Sequence, residues 1–300
     1  MNQHNFDGRV AVVTGAGRGI GRAYATLLAQ RGARVVVNDL GASTAGDGVD
    51  TGPASEVVEQ IEAAGGTAIA DGHDVSTVTG GQALVDAALE GYGRVDIVIN
   101  NAGIIRWAAL PELDADNVAQ HLAVHLGGSF NTTRAAWPHL AEQGYGRIVM
   151  TTSAGLFGLP NNTAYATAKG AVVGLTRSLA RAGRKLGITV NAIAPAAATR
   201  MGTPPSAQTA AAMAPELVAP MAAFLAHEDC PVTGEIYAAG AGRFARLFIA
   251  STPGYVHSGS TPTIEDVAAH WDTINAEDGY VVPADLLEWS AAFMTHLPSP

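Results

Sequence analysis

Tyr165 and Lys169 stand four residues apart in Tyr165-Ala166-Thr167-Ala168-Lys169. On a helix this spacing puts a phenol and an ammonium on one face. A free phenol titrates near ~10 and is no base at neutral pH. A neighbouring ammonium together with a second close positive charge favours the phenolate, and lowering the phenol by ~3 units corresponds to roughly 4 kcal/mol. Such a pair can take the proton of an alcohol. Ser153, at the end of the preceding predicted strand, can hold the substrate oxygen and steady a developing alkoxide.

Tyr-x-x-x-Lys alone is a common coincidence, and its meaning depends on what else the chain carries. Thr14-Gly15-Ala16-Gly17-Arg18-Gly19-Ile20-Gly21 closes the first predicted strand and opens a helix. Small residues there let the backbone approach a pyrophosphate at the positive end of the helix dipole. Asp39 ends the next strand, where a carboxylate can bind both ribose hydroxyls of an adenosine and repel a 2′-phosphate. Asn38 and Leu40 add no positive charge, so NAD is predicted over NADP, although Arg18 is within reach of a 2′-phosphate. Asp74-Val75 follows the third strand and Asn100-Asn101-Ala102-Gly103 the fourth, where a nucleotide needs polar contacts.

These residues require a scaffold of strand ends. Apolar, β-branched runs at 10–13, 34–37, 67–70, 95–99, 147–151 and 189–192 read as strands buried on both faces. Helical stretches at 20–31, 54–64, 79–91, 115–142 and 164–187 alternate with them. The pattern predicts an α/β, doubly wound, mostly parallel Rossmann sheet with helices on both faces. Residues 236–238 can add a last strand. The loop 41–53 reads as a surface insertion, and 195–226, rich in Ala and Pro, as a lid over the substrate. One catalytic domain is expected over 1–245. A tail follows over 246–300, with helical pieces near 264–274 and 284–296, packed on the same domain or on a neighbouring subunit.

Composition narrows the function classes. The 300 residues are 48% hydrophobic and 15% charged, enough for a large core. The net charge of −10 speaks against nucleic acid or an anionic membrane surface as partner. A single cysteine, Cys230, forbids an internal disulfide and fits a reducing cytosol. With no apolar run at the N-terminus and none of the roughly 18 residues that span a membrane, a cytoplasmic protein is expected. No metal-ligand set is read.

Taken together, Thr14–Gly21, Asp74, Asn100–Gly103, Ser153, Tyr165, Lys169 and Asn191-Ala192-Ile193-Ala194-Pro195 resemble the short-chain dehydrogenase/reductase family over roughly 6–245. The resemblance implies hydride transfer at a nicotinamide, with Tyr165 as acid/base and Lys169 also holding the nicotinamide ribose. It places Gly15, Gly17, Arg18, Gly19, Ile20, Gly21, Asp39, Asp74, Val75, Asn101, Ala102, Gly103, Tyr165, Lys169, Pro195 and Thr199 at the cofactor. It also implies a homodimer or homotetramer built through the long helices at 115–142 and 164–187.

Two departures stand out. The family's relay asparagine is replaced by His125, which can bridge a water and titrates near neutrality, or can be a satisfied core histidine. Ser153 precedes Tyr165 by twelve residues instead of the usual thirteen. Counting thirteen reaches Thr152, while the strand boundary favours Ser153.

A narrower likeness, over 191–201, 216–220 and 234–242 and in the 37–41 run, is to the dehydrogenase part of multifunctional β-oxidation enzymes. It implies a 3-hydroxyacyl-CoA substrate, with Arg106, Arg200, Arg243 and Arg246 available to its phosphates. A free sterol or small alcohol, an NADPH-dependent ketoreductase and a non-catalytic nucleotide-binding protein are the alternatives.

Overall fold

Runs of Val and Ile without polar alternation become strands covered on both faces. In the computed structural model, which describes residues 4–202, 206–259 and 261–297, they form β1 (Val10–Thr14), β2 (Arg34–Asn38), β3 (Thr67–Asp71), β4 (Ile97–Asn100), β5 (Gly146–Thr151), β6 (Ile188–Pro195) and β7 (Ile236–Gly240). The sheet runs 3-2-1-4-5-6-7, parallel at every one of these pairings. Val12 is level with Val36 on one side and Val98 on the other. After β3 the chain crosses back over β1, so the order reverses between β1 and β4 and a crevice opens beyond their carboxyl ends.

An eighth strand, β8 (Arg243–Leu247), joins the edge next to β7. Its signal is the two-residue turn Ala241-Gly242, with φ +49° and +74°. Two residues at positive φ make the tight turn that joins antiparallel strands. Sequence reading stopped at β7 because Arg243–Leu247 is exposed and lacks a buried apolar face.

The helices are α1 (Gly19–Gln30), α2 (Gly52–Ala63), α3 (Val78–Tyr92), α4 (Ala115–His121), α5 (Gly128–Glu142) and α6 (Thr163–Gly183). The long helix expected over 115–142 is interrupted by a π-helical segment, Leu122–Gly127. Tyr24 and Leu28 of α1 pack into one core with Val13, Val35, Val37 and Ile99 of the sheet.

The stretch 195–226 divides. It contains α7 (Ala207–Ala212) and α8 (Ala219–Leu225). Val218, Ala219, Ala222, Leu225 and Ala226 are buried in the same core as α1. The end of the stretch is therefore scaffold, and only the part before Val218 is left to cover a substrate. Its residues 203–205 lie outside those described.

Residues 247–300 make a second compact unit with α9 (Ile264–Ala269), α10 (Trp271–Asn275) and α11 (Leu286–Phe293). Within it, Tyr255 stacks on His270 at 3.7 Å, and the Trp289 indole N–H donates to the Ser251 hydroxyl at 3.3 Å. Thr263 and Asp266 form a reciprocal cap on α9. No helix among the described residues is long and apolar enough to cross a membrane.

Leu225→Ala removes a side chain that is 2% exposed and is expected to cost about 2–4 kcal/mol. A lowered urea midpoint at unchanged slope would show it. A variant as stable as the parent would mean that α8 is not part of the core.

Candidate active site

The turn after β1 can be made only by small residues. Gly15 and Gly19 sit at φ +62° and +54°, a region costly for any residue with a Cβ. A Cβ on Gly21 would lie 2.1 Å from the Gly15 carbonyl oxygen, and one on Gly17 would lie 2.7 Å from the Pro53 side chain. The turn leads into α1, whose first residue after Arg18 is Gly19 and whose start carries no side-chain cap. Bare N–H groups behind a Cβ-free cradle suit a pyrophosphate. The residues present therefore fit a dinucleotide.

Other predicted cofactor residues converge there. The Asp39 carboxylate accepts the Gly17 N–H at 2.8 Å and the Gly41 N–H at 2.7 Å, which fixes it against the turn. Arg18 faces Asp50 at 3.9 Å. The Thr199 methyl lies beside Gly19, 3.6 Å from where a Cβ would stand, so the chain after Pro195 reaches back to the turn. Asp74 caps its own loop, accepting the Ser76 N–H at 2.9 Å, while Val75 is buried. Ile20 packs against the core. Asn101 helps to build the turn. Its amide donates to the Thr14 and Gly15 carbonyls, both at 3.0 Å, and so clips the turn to the end of β4. Ala102 continues the clip, its N–H donating to the Thr14 hydroxyl at 3.0 Å.

The acid–base group assembles where β5 meets α6. The Ser153 hydroxyl lies near enough to the Tyr165 phenol to favour its ionised form and is itself held by the Gly155 N–H at 2.9 Å. Thr152, the other candidate, is fully buried and donates its hydroxyl to the Lys169 carbonyl at 2.8 Å. The shortened spacing is thus absorbed in the loop after Ser153. The Lys169 ammonium donates to the Thr151 carbonyl at 2.8 Å and lies 5.6 Å from the centre of the Tyr165 ring.

The charges differ from the sequence expectation. Burial pushes the Tyr165 phenol up, and the Ser153 hydroxyl offsets only part of that shift. Lys169 is itself lowered from 10.5 to about 7 by complete burial. The expected lowering rests on the Lys169 charge together with that of an oxidised nicotinamide, and in the protein by itself desolvation is the larger effect.

His125 lies in the π-helical segment and is 2% exposed. Its Nε2 lies against the Ile104 backbone, 2.9 Å from the carbonyl and 3.3 Å from the N–H, so it donates to the first in one tautomer and accepts from the second in the other. Nδ1 is a buried ring nitrogen without a partner. Burial, followed by the Lys169 charge, drives the imidazole well below 6.5, so it stays neutral where a free histidine would titrate. The ring meets Tyr165 edge-on at 5.2 Å. It also explains Gly103, because a Cβ there would come within 2.5 Å of the imidazole.

Sequence reading missed His121. One turn earlier, it stacks on His125 at 5.8 Å and meets Tyr165 at 6.2 Å. Its Nδ1–H donates to the Asn117 carbonyl at 2.8 Å, and Nε2 accepts the Arg106 N–H at 3.3 Å. The signal was available as the i,i+4 spacing of the two histidines.

Two of the four candidate phosphate-binding arginines are engaged. Arg106 pairs with Gln120 and Asp116, and Arg246 grips Glu235 at 2.7 and 3.0 Å. Arg200 and Arg243 are exposed. Trp107, Leu110, Phe157 and Leu159 are exposed apolar side chains of the loops joined by the Ala108–Asn162 bridge beside Ser153. Among the described residues, the one group of metal-capable side chains, His4, His227 and Asp229, lies by the amino ends of the strands, away from this site.

The chain is similar to known proteins in sequence and in fold. A family model for short chain dehydrogenases matches residues 9–209. A Mycobacterium tuberculosis protein named for the short-chain type dehydrogenases/reductases is 42% identical over 275 residues, covering 90% of this chain and 95% of its own. Mouse peroxisomal multifunctional enzyme type 2 is 43% identical over 273 residues, yet the chain spans only 37% of that enzyme. The full-length Drosophila melanogaster enzyme of the same name superposes with a TM-score of 0.82 at 33% identity, over 97% of this chain and 49% of that one. A short chain dehydrogenase from Mycobacterium avium superposes at 0.79 with 35% identity, over 90% and 97%. The chain belongs to the short-chain dehydrogenase/reductase family, whose members use nicotinamide dinucleotides, and it is an oxidoreductase acting on CH–OH groups.

Proposed function

We propose that the protein oxidises the secondary alcohol of a 3-hydroxyacyl-CoA to the 3-ketoacyl-CoA with NAD. The observation that carries this reading is the Tyr165 phenol beside the Ser153 hydroxyl and one turn from the Lys169 ammonium, in a chain that also builds a dinucleotide turn with Asp39 fixed against it. Bound by that turn, NAD supplies the oxidant that accepts the carbinol hydride. Ser153 holds the carbinol oxygen, and Tyr165 takes its proton. Lys169 holds the nicotinamide ribose and offsets the negative charge left on Tyr165. His125, neutral and with Nδ1 unpartnered, offers that nitrogen to the path by which the proton leaves.

The acyl group finds support in the apolar rim of Trp107, Leu110, Phe157 and Leu159. The thioester finds it in the relatives named multifunctional and hydratase-dehydrogenase-epimerase enzymes. The protein acts as a homodimer or homotetramer through α5 and α6, where Phe130 is 46% exposed. The lone, buried Cys230 suits a reducing compartment, for which the cytoplasm is the proposed one.

Purified protein with NAD is expected to form NADH from a 3-hydroxyacyl-CoA and not from the free hydroxy acid. Turnover of the free acid alone would overturn the thioester assignment. Tyr165→Phe should lower kcat by at least about a hundredfold, with an unchanged circular dichroism spectrum. Retained activity would remove Tyr165 as base.

Lys169 also couples function to stability. The unfolded chain holds the lysine proton up to about 10.5, the folded one only to about 7. The folding penalty is therefore full below pH 7 and fades as pH rises toward the unfolded value. Lys169→Met should melt at a higher temperature than the parent at pH 6, with the gap narrowing toward pH 10, and should lack activity. A Met variant that melts lower at pH 6 would contradict this.

A further inference from the structure

The insertion 41–53 is closed at its base. The Asp50 N–H donates to the Leu40 carbonyl at 2.9 Å. A Cβ on Gly41 would stand 1.8 Å from the Asp50 carbonyl oxygen, so the returning strand of the loop lies directly on the departing one. At the far side, the Ile105 N–H donates to the Thr44 carbonyl at 2.8 Å. Because the strands run β2-β1-β4, the insertion passes across the dinucleotide turn at the end of β1. It is a fixed strap and not a free surface loop.

That closure gives Asp50 a set position. One carboxylate oxygen accepts the Gly52 N–H at 2.9 Å, and the other faces the Arg18 guanidinium at 3.9 Å. Asp39 is held through the N–H groups of Gly17 and Gly41, at the base of the same strap. The other basic group at this corner of the sheet, His73, contacts Asp71 at 2.7 Å. Arg18 is therefore a cation of the turn whose nearest charged partner is an acid supplied by the strap.

We infer that Asp50 is a second specificity-determining residue for the dinucleotide, acting through Arg18. The inference rests on the NAD reading above. A 2′-phosphate arriving at Asp39 needs a counter-ion, and Arg18 is the residue of the turn able to serve. Asp50 engages that guanidinium. An exposed pair of this kind contributes little to stability. Its effect falls on the phosphate, which must compete with Asp50 for Arg18. NAD has no group there and does not meet this cost.

The test is equilibrium binding of NAD and NADP, measured by calorimetry on the full chain. Asp50→Asn keeps an acceptor for the Gly52 N–H and removes the charge. It is expected to raise the NADP-to-NAD affinity ratio roughly fivefold, the effect of one charge about 4 Å away near water. Adding Arg18→Ala to Asp50→Asn should return the ratio to its parent value. An unchanged ratio in Asp50→Asn, or a gain that survives loss of Arg18, would overturn the role of Asp50 and leave the NAD preference standing. A parent chain that binds NADP better than NAD would overturn the cofactor reading together with this inference.

Discussion

The interaction on which the rest depends is the knot between the ends of β1 and β4. The Thr14 hydroxyl accepts the N–H groups of Asn101 and Ala102, and the Asn101 amide returns two donors to the Thr14 and Gly15 carbonyls. The partners lie 86 to 88 residues apart in sequence. The knot closes the switch point of the sheet, and it satisfies backbone groups that glycines would otherwise leave loose. From Asn101 the chain runs through Gly103 to Ile104, whose backbone holds His125. The nucleotide turn and the acid–base cluster are thus set by one hydrogen-bonded junction.

The cluster is expensive to build. Tyr165, Lys169, His121 and His125 are ionisable, adjacent and withdrawn from water. Burial disfavours the charged form of each, and the Lys169 charge further suppresses both histidines. Such groups are tolerated where they work and are compensated elsewhere. The compensation here is the apolar sheet around them, with Val12, Val98 and Ile148 fully buried.

Much of this was legible from residue types. Parallel strands declared themselves because burial on both faces leaves no polar alternation, and glycine spacing announced the turn because no other residue fits. Tyr165 and Lys169 needed only helical periodicity. What escaped reading depends on long-range geometry. Nothing local says that Asn101 spends its amide on the turn, or that Thr152 is consumed by the Lys169 carbonyl. The burial that raises Tyr165 and lowers Lys169 is a property of the whole fold. Val218–Ala226 looked like a mobile cover because Ala and Pro are abundant there, yet small residues are what α8 needs to lie close to α1. β8 escaped because an exposed edge strand carries no apolar signature.

The π-helical segment Leu122–Gly127 has a consequence for how this site can change over time. A π turn holds an extra residue relative to an α-helix. Because the extra residue is taken up within the turn, α5 keeps its phase, with Asn131, Thr132, Ala135, Ala136 and Leu140 buried against the sheet and α3. Deleting one residue there would restore regular winding and leave that face where it is. Only the segment itself would change, and with it the presentation of His125 to Tyr165, so one residue gained or lost can remake this wall of the site while the fold stands.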